Sequence, residues 1–208
     1  MFGDKAEKLA LQLFDIGAIK FGAFRLKLHE KRPDTPLSPI YIDLRILRSF
    51  PEVMDSVVDV FKELTMGLKF DLYADVPTAA TPIIAILSHI TKVPMISPRK
   101  EEKGRGITRK IDGIFEKGQI AVLIDDLITQ ADSKFEAIKV LEENSLVVKD
   151  VVVLVDREQG GPAQLEKAGY ACHSAFKLTE LLGFYLQCGK INRHEYDRTI
   201  TYLKVATA

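Results

Sequence analysis

From residue 70 onward, short apolar runs rich in β-branched and aromatic residues alternate with helical stretches, and no other feature limits the fold of this chain as much. The runs are FDLYADV, PMIS, IAVLI, VVVLV and, more weakly, ACHSAF. Parallel strands need crossovers long enough to hold a helix, so this alternation predicts a parallel sheet covered by helices. The stretches Ile120 to Ile124 and Val151 to Val155 are apolar at every position. Strands buried on both faces read this way, which places these two at the centre of the sheet. The expected class is α/β, with a central parallel sheet flanked by helices.

The amino-terminal third has a different texture. Leu9, Leu13 and Ile16 recur at helical spacing before Gly17, which predicts a helix over 4–16, and a second helix is expected over 51–66. Between them, FGAFRLKLHEKRPDTPLSPIYIDLR alternates apolar and polar residues on both sides of a proline-rich turn. Two short strands follow from that pattern, forming a hairpin or hood over residues 18–48 outside the α/β repeat. HEKRPDTPL is its solvated tip. The tail from Lys177 to Leu203 reads as two helices broken near Gly189 and Lys190, with Tyr196, Ile200 and Leu203 on one face. With 208 residues, no internal repeat and no low-complexity linker, one domain is expected.

Lys plus Arg and Asp plus Glu are equal at 29 each, so no global field draws the chain to nucleic acid or to an anionic membrane. Any anion site must be local. Cys172 and Cys188 have no companion Cys-x-x-Cys or histidine cluster, which excludes a disulfide framework or zinc site and fits a reducing cytoplasm. No apolar run reaches the roughly 18 to 20 residues of a membrane helix, and the amino terminus mixes charge into its apolar pattern, unlike a signal peptide. His29, His89, His173 and His194 share no spacing, and Met54, Met66 and Met95 fit apolar faces.

Between PMIS and IAVLI lies the basic segment PRKEEKGRGITRKIDGIFEKGQ. Arg99, Lys100, Lys103, Arg105, Arg109 and Lys110 gather here on an otherwise balanced chain. The segment reads either as a solvated β-hairpin or as a lid closing over a polyanion. Next comes AVLIDDLITQADSKFEAIKVL, in which a buried strand delivers Asp125 and Asp126 to its carboxyl end, where open α/β sheets place their ligands. Adjacent carboxylates at such a place are unfavourable unless hydroxyls or cations meet them, as a ribose and a magnesium ion would. The turn Thr129-Gln130-Ala131-Asp132-Ser133 leads into a helix near Ser133, whose N-terminus suits a phosphate. The plainer alternative has Asp132 capping the helix while Asp125 and Asp126 bond neighbouring loops. Arg157 follows Asp156 at a strand end, where its guanidinium can grip a carboxylate bidentately or form a surface pair with Asp156 or Glu158.

Taken in order, AIKFGAFRLK with SPIYIDLR, PRKEEKGRG, LIDDLITQADS and VVVLVDREQGG resemble the orotate phosphoribosyltransferase family over nearly the whole chain, and in parts the transferase half of fused uridine monophosphate synthases. The resemblance implies the type I phosphoribosyltransferase fold with a small amino-terminal hood. It implies magnesium-dependent transfer of a phosphoribosyl group from 5-phosphoribosyl 1-diphosphate to orotate, giving orotidine 5′-monophosphate and diphosphate in pyrimidine biosynthesis. On it, Asp125 and Asp126 hold the ribose hydroxyls, and Lys103 and Arg99 act with them in catalysis. Lys27, Lys100 and Arg105 meet the diphosphate, and Thr129, Gln130, Ala131, Asp132 and Ser133 cradle the 5′-phosphate. Arg157 and the backbone of Ser38, Ile40 and Tyr41 fix orotate. Magnesium is held mainly through the donor diphosphate, near Asp125 and Asp126. The resemblance further implies a homodimer sharing the basic loop 99–118 across subunits. The 208 residues leave no room for a fused decarboxylase, and a separate orotidine monophosphate decarboxylase stays open as a partner.

Three departures from the family pattern bear on the donor site. Ala131 stands where glycine is usual, and an alanine forced to positive φ would cost roughly 1 to 2 kcal/mol. Asp132 adds a negative charge beside the phosphate, and Arg105 replaces a histidine. VPTAATPI also lacks a lysine of the diphosphate loop, leaving the amides of Thr78 to Ala80 in its place. Two other functions remain open at this level. A transferase for another base is opposed by SPIYIDLR and DREQGG, and a sensor without turnover is supported by Ala131 and Asp132 but opposed by the basic loop.

Overall fold

The computed structural model describes residues 3–26, 34–99 and 110–206. The chain opens with helix α1 (Asp4–Asp15), whose Leu9, Ala10 and Leu13 face inward, and turns at Gly17, where φ is +72°. Strands β1 (Ile19–Phe24) and β2 (Ser38–Ile42) pair antiparallel, Ile19 opposite Ile42 and Phe21 opposite Ile40, with a bulge before Phe24. This is the expected hood. A short 3₁₀ helix (Leu44–Ser49) leads to α2 (Pro51–Thr65). Proline at the first position of α2 removes a backbone N–H that a helix leaves unpaired in any case.

The remaining elements are β3 (Leu72–Asp75), α3 (Thr81–Thr91), β4 (Met95–Pro98), β5 (Ile111–Asp112), β6 (Ile120–Ile128), α4 (Asp132–Glu143), β7 (Val147–Asp156), α5 (Gly161–Lys167), β8 (Ala171–Lys177), α6 (Leu178–Gln187) and α7 (Arg193–Ala206). Six strands form one sheet in the order β5-β4-β3-β6-β7-β8, parallel throughout except for the β4–β5 hairpin. The expected α/β architecture is therefore present. The all-apolar strands serve two cores. Val122, Ile124, Val152 and Leu154 pack toward the hood, α1, α2, α3 and α6. Ala121, Leu123, Val151 and Val153 pack toward α4 and Leu165 of α5. Alternation with period two thus fills both sides, and the polar positions expected of a half-exposed strand are missing for that reason. Among the described residues no helix is long and apolar enough to cross a membrane.

Two features differ from the sequence reading. Strand β6 does not stop at Ile124 but continues through both aspartates, because β7 pairs with it as far as Ile128 opposite Asp156. Helix α4 begins at Asp132, with Ala131 as its N-cap residue at φ −90° and ψ 7°. Ala131 therefore carries no left-handed strain, and Asp132 occupies the first turn, where a carboxylate favours the helix dipole.

Candidate active site

Strand order fixes where the site lies. From β3 the chain crosses to β4 on one side, then returns past β3 to β6 and continues to β7 and β8 on the other. The reversal point between β3 and β6 opens a crevice at their carboxyl ends, where doubly wound sheets bind ligands. Because β3 ends at Asp75 opposite Ile124, the β3 flank of β6 is unpaired from Asp125 onward.

Asp125 is buried and held twice. Its Oδ1 accepts the Asp126 backbone N–H at 2.8 Å, and its Oδ2 meets the Lys134 ammonium at 2.6 Å. Asp126, partly exposed, accepts the Leu127 N–H at 2.8 Å. Burial and the neighbouring Asp125 charge push the Asp126 carboxyl up to about 7. Asp75, fully buried across the crevice, is pushed in the same direction, first by burial; Thr81 Oγ1 donates to its Oδ2, while its Oδ1 has no hydrogen-bond partner among the described residues. These carboxyls converge on a site able to receive hydroxyl donors and cations.

Around the pair stand two turns. After β3, residues 76–80 form a loop with a cis peptide between Pro77 and Thr78, and exposed Arg48 of the 3₁₀ helix donates to the Thr78 carbonyl. After β6, residues 129–133 enter α4. The Ala131 N–H is taken by Gln164 Oε1 at 2.9 Å, and the Thr129 carbonyl accepts the Gly161 N–H at 2.9 Å. A Cβ at Gly161 would lie 2.7 Å from that same carbonyl oxygen, so the start of α5 is pressed against the turn.

Arg157 follows β7, its backbone N–H bonded to the Ile128 carbonyl at 2.9 Å. It is only 4% exposed, and its Nε and Nη2 have no hydrogen-bond partner among the described residues. The alternative of a surface ion pair is thereby excluded, since Asp156 accepts the Glu158 N–H and Glu158 accepts the Thr179 N–H at the start of α6. Burial lowers the Arg157 pKa, and the charges of Tyr202 and Tyr41 oppose that shift. Tyr41 lies on β2, stacked near Phe24 with ring centroids 5.5 Å apart, and its hydroxyl accepts from Arg45 at 2.8 Å. Tyr202 of α7 is buried, and its hydroxyl also has no partner among the described residues. Ser38 and Ile40 are fully buried, and the Ser38 hydroxyl donates to the Ile40 carbonyl at 2.7 Å, which stiffens the strand over the site.

The basic segment begins as a hairpin. Pro98 pairs with Ile111, and the Arg99 N–H bonds the Lys110 carbonyl at 2.8 Å. The Arg99 side chain grips Asp112 at 2.9 and 2.5 Å, and that guanidinium lowers the Asp112 carboxyl. Lys110 reaches Glu143 of α4 at 3.1 Å. A cavity of about 410 Å³ opens between this stem and α4, lined among others by Val76, Pro77, Arg99, Ser133 and Val140. Lys27, Lys100, Lys103, Arg105 and Arg109 lie outside the described residues.

Comparison with known proteins now decides the family. An orotate phosphoribosyltransferase of Pyrobaculum aerophilum is 37% identical over 82% of this chain and 86% of its own length. The chain belongs to the orotate phosphoribosyltransferase family. The family's fused members match as well. The uridine 5′-monophosphate synthase of Bos taurus is 34% identical over 94% of this chain, which spans 40% of that protein. The structure of Leishmania donovani UMP synthase superposes with a TM-score of 0.86 and 36% identity over 96% of this chain and 42% of that one. The chain thus spans about two-fifths of these fused relatives. No family model matches it.

The structure brings Asp125, Asp126, the 129–133 turn and Arg157 to the carboxyl ends of β6 and β7. Sequence reasoning missed Lys134, Gln164, Arg48 and Tyr202. Lys134 alone left a usable signal, because it falls in register with Ala137, Ile138 and Leu141 on the buried face of α4.

Proposed function

We propose that this chain is an orotate phosphoribosyltransferase, transferring the phosphoribosyl group of 5-phosphoribosyl 1-diphosphate to orotate. The observation that carries the reading is Arg157. A buried guanidinium with two nitrogens unpartnered among the described residues is unfavourable unless an anion completes it, and a planar carboxylate on the base does so with two parallel hydrogen bonds. The hood strand at Ser38, Ile40 and Tyr41 covers the base in that position.

In this reading the Asp125–Asp126 pair receives the ribose hydroxyls, and the 5′-phosphate sits at the start of α4 on the 129–133 turn. Breaking the C1–O bond leaves positive charge on the ribose ring and negative charge on the departing diphosphate. The carboxylates stabilise the first. The second falls to the 76–80 loop and to the cations of the basic segment, Arg99, Lys100, Lys103 and Arg105, with Lys27. Among the described residues no group of three His, Cys, Asp or Glu side chains could hold a metal. The acidic crevice nonetheless fits a magnesium ion that arrives on the donor, with Asp126 as the protein carboxylate nearest to hand. Such an ion would offset diphosphate charge. The basic loop serves the partner's site in a homodimer, and a decarboxylase consumes the product.

The test is spectrophotometric, following loss of orotate absorbance on mixing protein, donor and magnesium. Turnover that stops with excess chelator is expected. No loss of orotate at saturating donor would reject the assignment.

A further inference from the structure

Lys134 occupies a place where a lysine is unfavourable on three counts. It lies on the buried face of α4 with Ala137, Ile138 and Leu141, and its side chain is 4% exposed. It stands in the first turn of the helix, where the dipole repels a cation. Its ion pair with Asp125 is buried on both sides, and apolar residues commonly replace such pairs without loss of stability. The ammonium is nevertheless fully engaged, with Asp125 Oδ2 at 2.6 Å, the Leu127 carbonyl at 2.6 Å and Ser133 Oγ at 3.5 Å. Asp125 is equally occupied, its second oxygen accepting the Asp126 N–H. Asp126 differs from its neighbour, being partly exposed and accepting the next backbone N–H through Oδ1.

We propose that Lys134 is a positioning residue of the carboxylate pair, holding Asp125 in place and compensating its charge where the pair meets the donor's ribose. The pair then presents one net negative charge to a donor that is itself a polyanion, where two uncompensated carboxylates would oppose it. The Leu127 carbonyl contact also ties the end of β6 to the first turn of α4, so one side chain sets the ribose carboxylates and the phosphate turn relative to each other. This inference rests on the donor-binding reading above.

Binding of 5-phosphoribosyl 1-diphosphate, measured by calorimetry in magnesium buffer alongside steady-state kinetics, separates the roles. Wild-type protein that binds no donor would remove the functional reading itself. Given wild-type binding, Lys134→Met leaves Asp125 uncompensated, and the donor dissociation and Michaelis constants should rise tenfold or more while the orotate constant stays within twofold. Lys134→Arg keeps a cation beside Asp125 and should hold the donor constants well below those of Lys134→Met. A folded Lys134→Met protein with wild-type donor affinity would overturn the proposal. So would a folded Lys134→Arg protein whose donor constants rise as far as those of Lys134→Met. Should Lys134→Met not fold, Lys134→Gln, which keeps a hydrogen-bonding side chain without the charge, takes its place with the same expected rise.

Discussion

Replacing Gly161 by alanine should misplace the phosphate turn. The added Cβ would sit 2.5 and 2.7 Å from Ile128 Cγ1 and Cδ1 and 2.7 Å from the Thr129 carbonyl oxygen. Non-bonded carbon contacts are comfortable near 3.5 to 4.0 Å, so the groups must part by about 1 Å. Ile128 can rotate, but Thr129 O is main chain at the entry to residues 129–133, and the Gly161 N–H is bonded to it at 2.9 Å. Overpacking of this kind costs about 1 to 3 kcal/mol. At roughly 2 to 4 °C per kcal/mol for a chain of this size, the melting temperature should fall by about 2 to 12 °C. A displacement near 1 Å at a binding group can cost about a hundredfold in rate, so the donor Michaelis constant should rise tenfold or more, and by more than the orotate constant. Differential scanning fluorimetry and initial-rate kinetics read both effects. A lowered melting temperature with an unchanged donor constant would show that residues 129–133 do not hold the 5′-phosphate.

Three further outcomes follow from the same geometry. Arg157→Met should bind orotate more than about a hundredfold more weakly, since two charge-assisted hydrogen bonds contribute about 3 kcal/mol or more, yet should melt at or above the wild-type temperature without ligand, because it removes a buried unpartnered charge; a large loss of ligand-free stability would mean that Arg157 is paired internally. The Asp126 carboxyl, raised to about 7 by burial and by Asp125, keeps a proton that the unfolded chain loses near pH 4, so ligand-free stability should fall as pH rises between those values. Asp126→Asn should shrink the difference in melting temperature between pH 5 and pH 7.5, and an undiminished difference would contradict the assignment. Ala131→Gly should leave the donor Michaelis constant unchanged, because φ is already −90° at a buried helix cap; a several-fold tighter donor constant would restore the strain argument.

The sheet was legible because β6 and β7 are buried on both faces, so every residue of IAVLI and VVVLV reports the same environment. The hood was legible from alternation on either side of a proline-rich turn, and the carboxylate pair from its place after a buried strand. What the sequence concealed were contacts between elements distant along the chain. Nothing in the local pattern around Gln164 places its side chain on the Ala131 N–H, 33 positions away. Tyr202 reads as one more apolar-face residue of a terminal helix until the hood carries it toward Arg157. Ala131 misled for the opposite reason: a glycine expected in the turn suggested positive φ, whereas β6 runs on to Ile128 and lets the turn close with ordinary dihedrals. Lysine on a helix usually means solvent, so Lys134 was passed over although its register with Ala137 and Leu141 placed it inside.

If Arg157 selects a base bearing a carboxylate, kcat/KM for orotate and for uracil, which lacks that group, compared in wild-type protein and in Arg157→Met, shows it directly. The wild type should prefer orotate by more than about a hundredfold, from the same two charge-assisted bonds, and the preference should collapse in the variant. Equal use of the two bases by the wild type, or an undiminished preference in Arg157→Met, would contradict it.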